Sequence, residues 1–65
     1  MKYPMTLWQM AQRDWAMGEW QTVSDLSGTF GVYSNKMSAF LRSWMDQGRV
    51  TRRYSEDGYE YCRLM

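Results

Sequence analysis

The chain has 65 residues, of which 45% are hydrophobic and 17% aromatic, and its formal net charge is +1. A single domain over residues 1–65 accounts for this length, and the aromatic content is too high for a disordered chain. The sequence has no histidine and one cysteine, so it excludes histidine-dependent catalysis, an internal disulfide and a four-cysteine metal site.

The first predicted element is an amphipathic helix over residues 6–17, with Thr6 as its N-cap and Gly18 as its stop. Its apolar face consists of four residues at helical spacing: Leu7, Trp8, Ala11 and Trp15. The next residues, 19–21, are too few for a helix and have an apolar centre. We therefore predict a short strand there.

A second helix is predicted from the N-cap signal at Thr22, which Asp25 follows three residues later. Its apolar side chains are Val23, Leu26 and Phe30. A tight connection over residues 31–33 leads to a third helix, for which Ser34 is the predicted N-cap and Gly48 the terminating glycine. The apolar stripe of this third helix, which we predict to be buried, contains Met37, Phe40, Leu41 and Trp44.

After Gly48 the period of the pattern changes from helical to alternating, which predicts strands over residues 49–54 and 59–64. The turn between them, residues 55–58, carries the Asp57-Gly58 hairpin signal. A two-stranded hairpin alone is barely stable in water, so we expect it to dock on the helices and to pair with the short strand. The predicted fold class is a small, mainly α, α+β domain ordered helix, short strand, helix, helix, β-hairpin.

This order of elements resembles the winged helix-turn-helix domains. Residues 19–26 are similar to the strand-then-helix entry of such domains, and residues 30–34 resemble their turn, with Tyr33 inserted before Ser34. Residues 41–50 are similar to the exit from the recognition helix into the wing. Within the superfamily, the chain most resembles small bacterial regulators of the CaiF/GrlA and fimbrial FaeA types, and this resemblance implies a transcription regulator.

The outward face of the third helix supplies the candidate DNA contacts. With the apolar stripe buried, six residues fall on the far side: Asn35, Lys36, Ala39, Arg42, Ser43 and Asp46. Arg42 could pair with guanine and Asn35 with adenine, while Lys36 suits a phosphate. Ala39 keeps the face flat, and Ser34 would cap a helix N-terminus whose dipole also favours a phosphate. The same pattern fits an ordinary solvated helix face.

Two arginines, Arg52 and Arg53, lie just before the predicted wing turn. Arginine at a wing can contact phosphates or the minor groove, although adjacent strand residues point to opposite faces and cannot both have one role. Acidic Glu56 and Asp57 at the tip oppose deep insertion. The alternative is that the two cations protect an edge strand from aggregation. The predicted DNA-binding set is Ser34, Asn35, Lys36, Ala39, Arg42, Ser43, Arg52 and Arg53.

The predicted function is therefore sequence-specific binding of double-stranded DNA as a small transcription regulator. One domain covers about one half-site, so we expect a second copy of the chain or a partner protein. The alternative is a protein-interaction module on the same scaffold, for example a phage or plasmid factor that binds a host regulator. The near-neutral charge favours this alternative, whose candidate apolar patch contains Met10, Met17, Trp20 and Met45.

Other classes of function find little support in the sequence. We expect no enzymatic activity, no cofactor, no metal and no small-molecule ligand, because no catalytic pair or ligand cluster stands out. The low cysteine content favours a reducing cytoplasm, where Cys62 would be a small buried hydrophobe rather than a redox switch. No apolar run approaches the ~18 residues of a membrane span, and residues 1–5 do not resemble a signal peptide.

Overall fold

A computed structural model of the protein describes residues 6–56 and 58–65. The elements follow in the order α1 (Leu7–Asp14), β1 (Trp20–Thr22), α2 (Val23–Phe30), α3 (Ser34–Asp46), β2 (Val50–Ser55) and β3 (Gly58–Arg63). The small α+β class and the order of elements are confirmed, and each strand lies within one residue of its predicted position. Asp57, the first residue of the predicted Asp57-Gly58 turn signal, lies outside the described residues.

The two predicted threonine caps are confirmed, and each forms a reciprocal capping box. At α1 the Thr6 hydroxyl accepts the Gln9 backbone N–H, and the Gln9 side chain accepts the Thr6 N–H in return. At α2 the Thr22 hydroxyl accepts the Asp25 N–H at 3.1 Å, while the Asp25 carboxylate accepts the Thr22 N–H at 3.3 Å. Each cap satisfies backbone donors that a helix N-terminus otherwise leaves unpaired.

Replacing Thr22 by alanine is expected to lower the free energy of unfolding by about 1 kcal/mol, because the Asp25 N–H loses its acceptor. Ser24, two residues later in the first turn of α2, offers a matched control, since its side chain is exposed and no hydrogen bond from it to the described residues is found. Urea unfolding followed by tryptophan fluorescence measures both variants. Equal midpoints for Thr22→Ala and Ser24→Ala would contradict the capping role.

The first helix is shorter than predicted, because it ends at Asp14 rather than near Met17. Trp15 has the extended dihedral angles φ −122° and ψ 106°, and its indole N–H donates to the Glu19 carbonyl at 2.8 Å. The side chain is 1% exposed. Burying this indole in the core therefore takes precedence over another turn of helix, and Met17 instead forms an isolated parallel bridge with Arg63.

The predicted N-cap at Ser34 is wrong by one residue. Tyr33 is the cap residue of α3, with φ −66° and ψ 151°, and no side-chain capping bond is present. Its carbonyl accepts the Met37 N–H at 2.8 Å, so Ser34 is already the first residue inside the helix. Gly31, at φ 69°, makes this tight entry feasible, because the left-handed conformation is readily available to glycine.

The sheet is three-stranded and antiparallel, with β3 between β1 and β2. Between β2 and β3, Arg52 lies opposite Tyr61, and Tyr54 lies opposite Tyr59. The predicted short strand pairs with β3, as the sequence suggested. Because side chains alternate along a strand, this register fixes which hairpin residues share a face.

The core is built from all three helices and the hairpin. Its buried members are Ala11, Trp15, Leu26, Phe30, Met37, Leu41, Trp44, Val50 and Tyr61. One prediction about this core needs correction, because the Phe40 side chain is 40% exposed. Trp8, on the apolar face of α1, is half-buried, and its ring centroid lies 4.9 Å from that of Trp44. Both rings contact that of Trp44 at the edge of the core, and neither is fully buried.

A buried arginine joins the end of the hairpin to α1. One terminal nitrogen of the Arg63 guanidinium donates to the carbonyls of Gln12 at 3.1 Å and Trp15 at 2.6 Å, with a longer contact to Ala11 at 3.5 Å. Its Nε donates to the Met65 carbonyl. Arg63 thus satisfies carbonyls at the C-terminal end of α1, where a cation also complements the helix dipole.

Candidate functional site

The outer face of α3 carries the largest part of the predicted site. The side chains of Ser34, Asn35, Lys36, Ala39, Arg42 and Ser43 are all exposed. On the opposite side of the helix, Met37, Leu41 and Trp44 are buried in the core. This amphipathic division holds the exposed face rigidly, because the buried stripe fixes the rotation of α3 about its own axis.

Two residues at the start of α3 have local hydrogen bonds. The Asn35 Oδ1 accepts the Lys36 backbone N–H at 2.9 Å, which satisfies one of the first-turn donors. The Ser34 hydroxyl accepts a hydrogen bond from the Ser27 hydroxyl at 3.4 Å, a contact that links α2 to α3. The Asn35 amide nitrogen remains available as a donor, whereas its oxygen would have to share its acceptor capacity with any ligand.

Both cations on the exposed face of α3 lack partners within the described part of the chain. Neither Lys36 nor Arg42 forms an ion pair or a side-chain hydrogen bond there. The two ion pairs among the described residues join Arg13 to Asp14 and Arg53 to Glu60. A charged side chain on a rigid face without an internal partner is free to bind an external anion.

The hairpin separates the two predicted wing arginines onto opposite faces of the sheet. Arg52 lies opposite Tyr61, whose side chain is buried in the core, so Arg52 is on the helix-facing side. Arg53 lies opposite Glu60, and its Nε donates to the Glu60 carboxylate at 2.8 Å. The Arg53 guanidinium also stacks over Trp20, 4.1 Å from the ring centroid.

Aromatic neighbours hold the Arg52 guanidinium in place. It lies 4.2 Å from the centroid of the Tyr59 ring, a cation–π distance. A side-chain interaction with Tyr61 raises the pKa of Arg52 above its usual value, which favours the charged form. The sequence did not predict this positioning, because spacing alone does not show which face of the hairpin packs against the helices.

Arg52 and Arg42 line the same cleft, which has a volume of about 690 Å³ and lies between α3, the start of α2 and the hairpin. Its remaining lining residues are Thr22, Val23, Ser24, Asp25, Ser38, Tyr59 and Tyr61. Asp25 is the acidic member, and its carboxylate is engaged in the α2 cap. The cleft thus brings a cation of the third helix and a cation of the hairpin to one open surface.

Ser38 and Tyr59 are cleft residues that sequence reasoning did not assign to the site. Ser38 lies four residues before Arg42 on α3, so the two side chains share one face of the helix. This helical spacing was a usable signal. Tyr59 is half-exposed and contacts the Tyr54 ring edge-on at 5.3 Å. Tyr54 and Tyr33 are both largely exposed.

The apolar residues of the alternative interaction patch have different environments. Met10 and Met45 pack against the core, and Trp20 is half-buried beneath Arg53. Met17 is exposed. Within the described ranges, no helix has the length and apolar character needed to cross a bilayer, and no three potential metal ligands of the His, Cys, Asp or Glu types cluster together.

Comparison with known proteins found no family model, no curated protein and no solved structure that matches this chain.

Proposed function

We propose that this protein is a winged helix-turn-helix domain that binds double-stranded DNA as a small transcription regulator. In this proposal α3 enters the major groove, and the helix-facing side of the hairpin contacts the phosphate backbone beside it. The observation that carries the proposal is the cleft shared by Arg42 and Arg52, two cations from separate elements on one exposed surface.

The shape of the surface supports a groove-binding role for α3. The major groove is about 12 Å wide and admits one α-helix, provided that the helix face is free of large obstructions. Ala39 stands near the centre of the exposed face, flanked by Lys36 and Ser43 on one side and by Arg42 on the other. Such a face can approach base edges while the buried stripe stays attached to the domain.

The charges divide into one side chain suited to bases and two suited to phosphates. Arg42 has the fork geometry that pairs with the O6 and N7 atoms of guanine. Lys36 and Arg52 serve as phosphate contacts on either side of it. Two phosphate contacts predict a slope of about −2 for the logarithm of affinity against the logarithm of salt concentration.

A single domain of this kind covers about one half-site, so useful affinity requires a second copy of the chain or a partner protein on the same DNA.

Arg52 and Arg53 provide the sharpest test of the hairpin's part in binding, since they are neighbours on opposite faces. Arg52→Gln is expected to weaken binding to duplex DNA about tenfold and to reduce the salt slope by about one. Arg53→Gln removes an equal charge from the face turned away from α3, so its affinity should stay within about twofold. Fluorescence anisotropy with a labelled random duplex at several salt concentrations measures both variants.

Equal losses from the two substitutions would mean that net charge matters and the cleft does not. No loss from either would remove the hairpin from the interface. If the unaltered protein has no salt-dependent affinity for duplex DNA, the whole proposal is wrong.

A further inference from the structure

Phe40 is an apolar residue on the outer side of α3 that the core does not fully cover. Its side chain is 40% exposed, and its ring lies 5.9 Å from that of Trp44, tilted by 38°. Together with Lys36, Ala39 and Ser43 it lines a shallow groove of about 360 Å³. This groove runs along α3 on the side away from the Arg42 cleft.

We propose that Phe40 contacts the 5-methyl group of a thymine in the bound DNA and so contributes to sequence specificity. The inference rests on the proposed function and assigns a specificity-determining residue to the same surface. The thymine methyl is the apolar group that standard base pairs present in the major groove, and phenylalanine is one of the side chains that contact it. An exposed ring on a helix in that groove has this group as its natural partner.

The neighbours of Phe40 favour a DNA methyl group as the occupant of this groove. Lys36 lies one helical turn before Phe40 and has no ion pair within residues 6–56 and 58–65. A free cation beside the ring matches a ligand that places a phosphate near an apolar group. Packing of Phe40 against Trp44 also limits the ring's freedom before binding, which reduces the entropic cost of the contact.

The test replaces thymine by uracil, which removes only the methyl group. Duplexes bound by the unaltered protein are first selected from a randomised pool, and each thymine of the preferred sequence is then replaced singly. We expect one position at which uracil weakens binding about fourfold, the effect of burying one methyl group. The Phe40→Ala variant should bind the thymine and uracil duplexes at that position equally well.

A second variant, Phe40→Leu, guards against an effect of altered folding, because leucine keeps an apolar side chain at the position. It should retain a preference for thymine, and the urea midpoints of both variants show whether α3 stays packed. The inference alone is overturned if the unaltered protein binds thymine and uracil duplexes equally, if Phe40→Ala keeps the preference, or if the selected sequence lacks thymine. If the selection yields no bound duplex, both this inference and the proposed function are wrong.

Discussion

Replacing Arg63 by methionine should lower the free energy of unfolding by about 3 kcal/mol, because two carbonyls at the end of α1 lose a charged donor. The Arg63 side chain reaches Gln12 and Trp15 across the domain and is the principal polar link between β3 and the first helix. Methionine has a similar unbranched stem but donates no hydrogen bond. A single small core rarely supplies more than about 5 kcal/mol of stability, so this loss would remove much of the total.

Two further substitutions show whether the hydrogen bonds, rather than charge alone, produce the effect. Arg63→Lys keeps the charge but lacks the planar fork, so we expect an intermediate loss of about 1.5 kcal/mol. Arg42→Met removes an exposed arginine of α3 and should change stability by less than about 0.5 kcal/mol. Urea unfolding followed by tryptophan fluorescence compares the three variants. An Arg63→Met midpoint equal to that of Arg42→Met would refute the role of Arg63.

Local signals in the sequence were sufficient to predict most of the secondary structure. The capping threonines Thr6 and Thr22 and the helical spacing of apolar residues located the starts of α1 and α2. Gly48, with φ 75°, ends α3 in a left-handed conformation where the pattern placed it. Such features depend on interactions over a few residues, so they can be inferred before any tertiary contact is known.

Apart from the one-residue error at the start of α3, sequence reasoning failed or gave no signal where a distant element decides the local outcome. Trp15 continues the apolar face of α1 in the sequence, but its indole is better buried with the chain extended toward β1. Arg63 follows the alternating pattern of a strand, and nothing near it indicates that carbonyls of residues 12 and 15 will meet it. Phe40 belongs to the helical stripe by spacing, yet its side chain is 40% exposed because the described elements cover that side of α3 only in part.

For the candidate site too, local geometry predicted one part, and tertiary packing decided the rest. Helical geometry alone placed Asn35, Lys36, Ala39 and Arg42 on one face of α3, and their exposure agrees with it. Strand alternation predicted that Arg52 and Arg53 point apart, but not which of them would lie near α3. That choice depends on which face of the sheet packs against the helices, which short-range spacing does not determine.

Arg42→Ala is expected to weaken binding to the preferred duplex by about 2 kcal/mol, or roughly 30-fold, because a bidentate contact to guanine is lost. It should also remove the preference for guanine at one position of the site. The Arg42 side chain is exposed, and no ion pair from it is found among the described residues, so the variant should fold as the unaltered protein does. Selection from a randomised duplex pool followed by anisotropy titration measures both effects.

Lys36→Ala is the matched comparison, since it removes the other cation from the exposed face of α3. A phosphate contact carries no sequence information, so this variant should weaken all duplexes by the same factor and reduce the salt slope by about one. The two substitutions therefore have different effects if α3 lies in the major groove. Arg42→Ala changes the base preference, and Lys36→Ala changes the salt dependence of binding. A uniform loss from both would mean that α3 contacts only the backbone, and unchanged binding by both would exclude α3 from the interface.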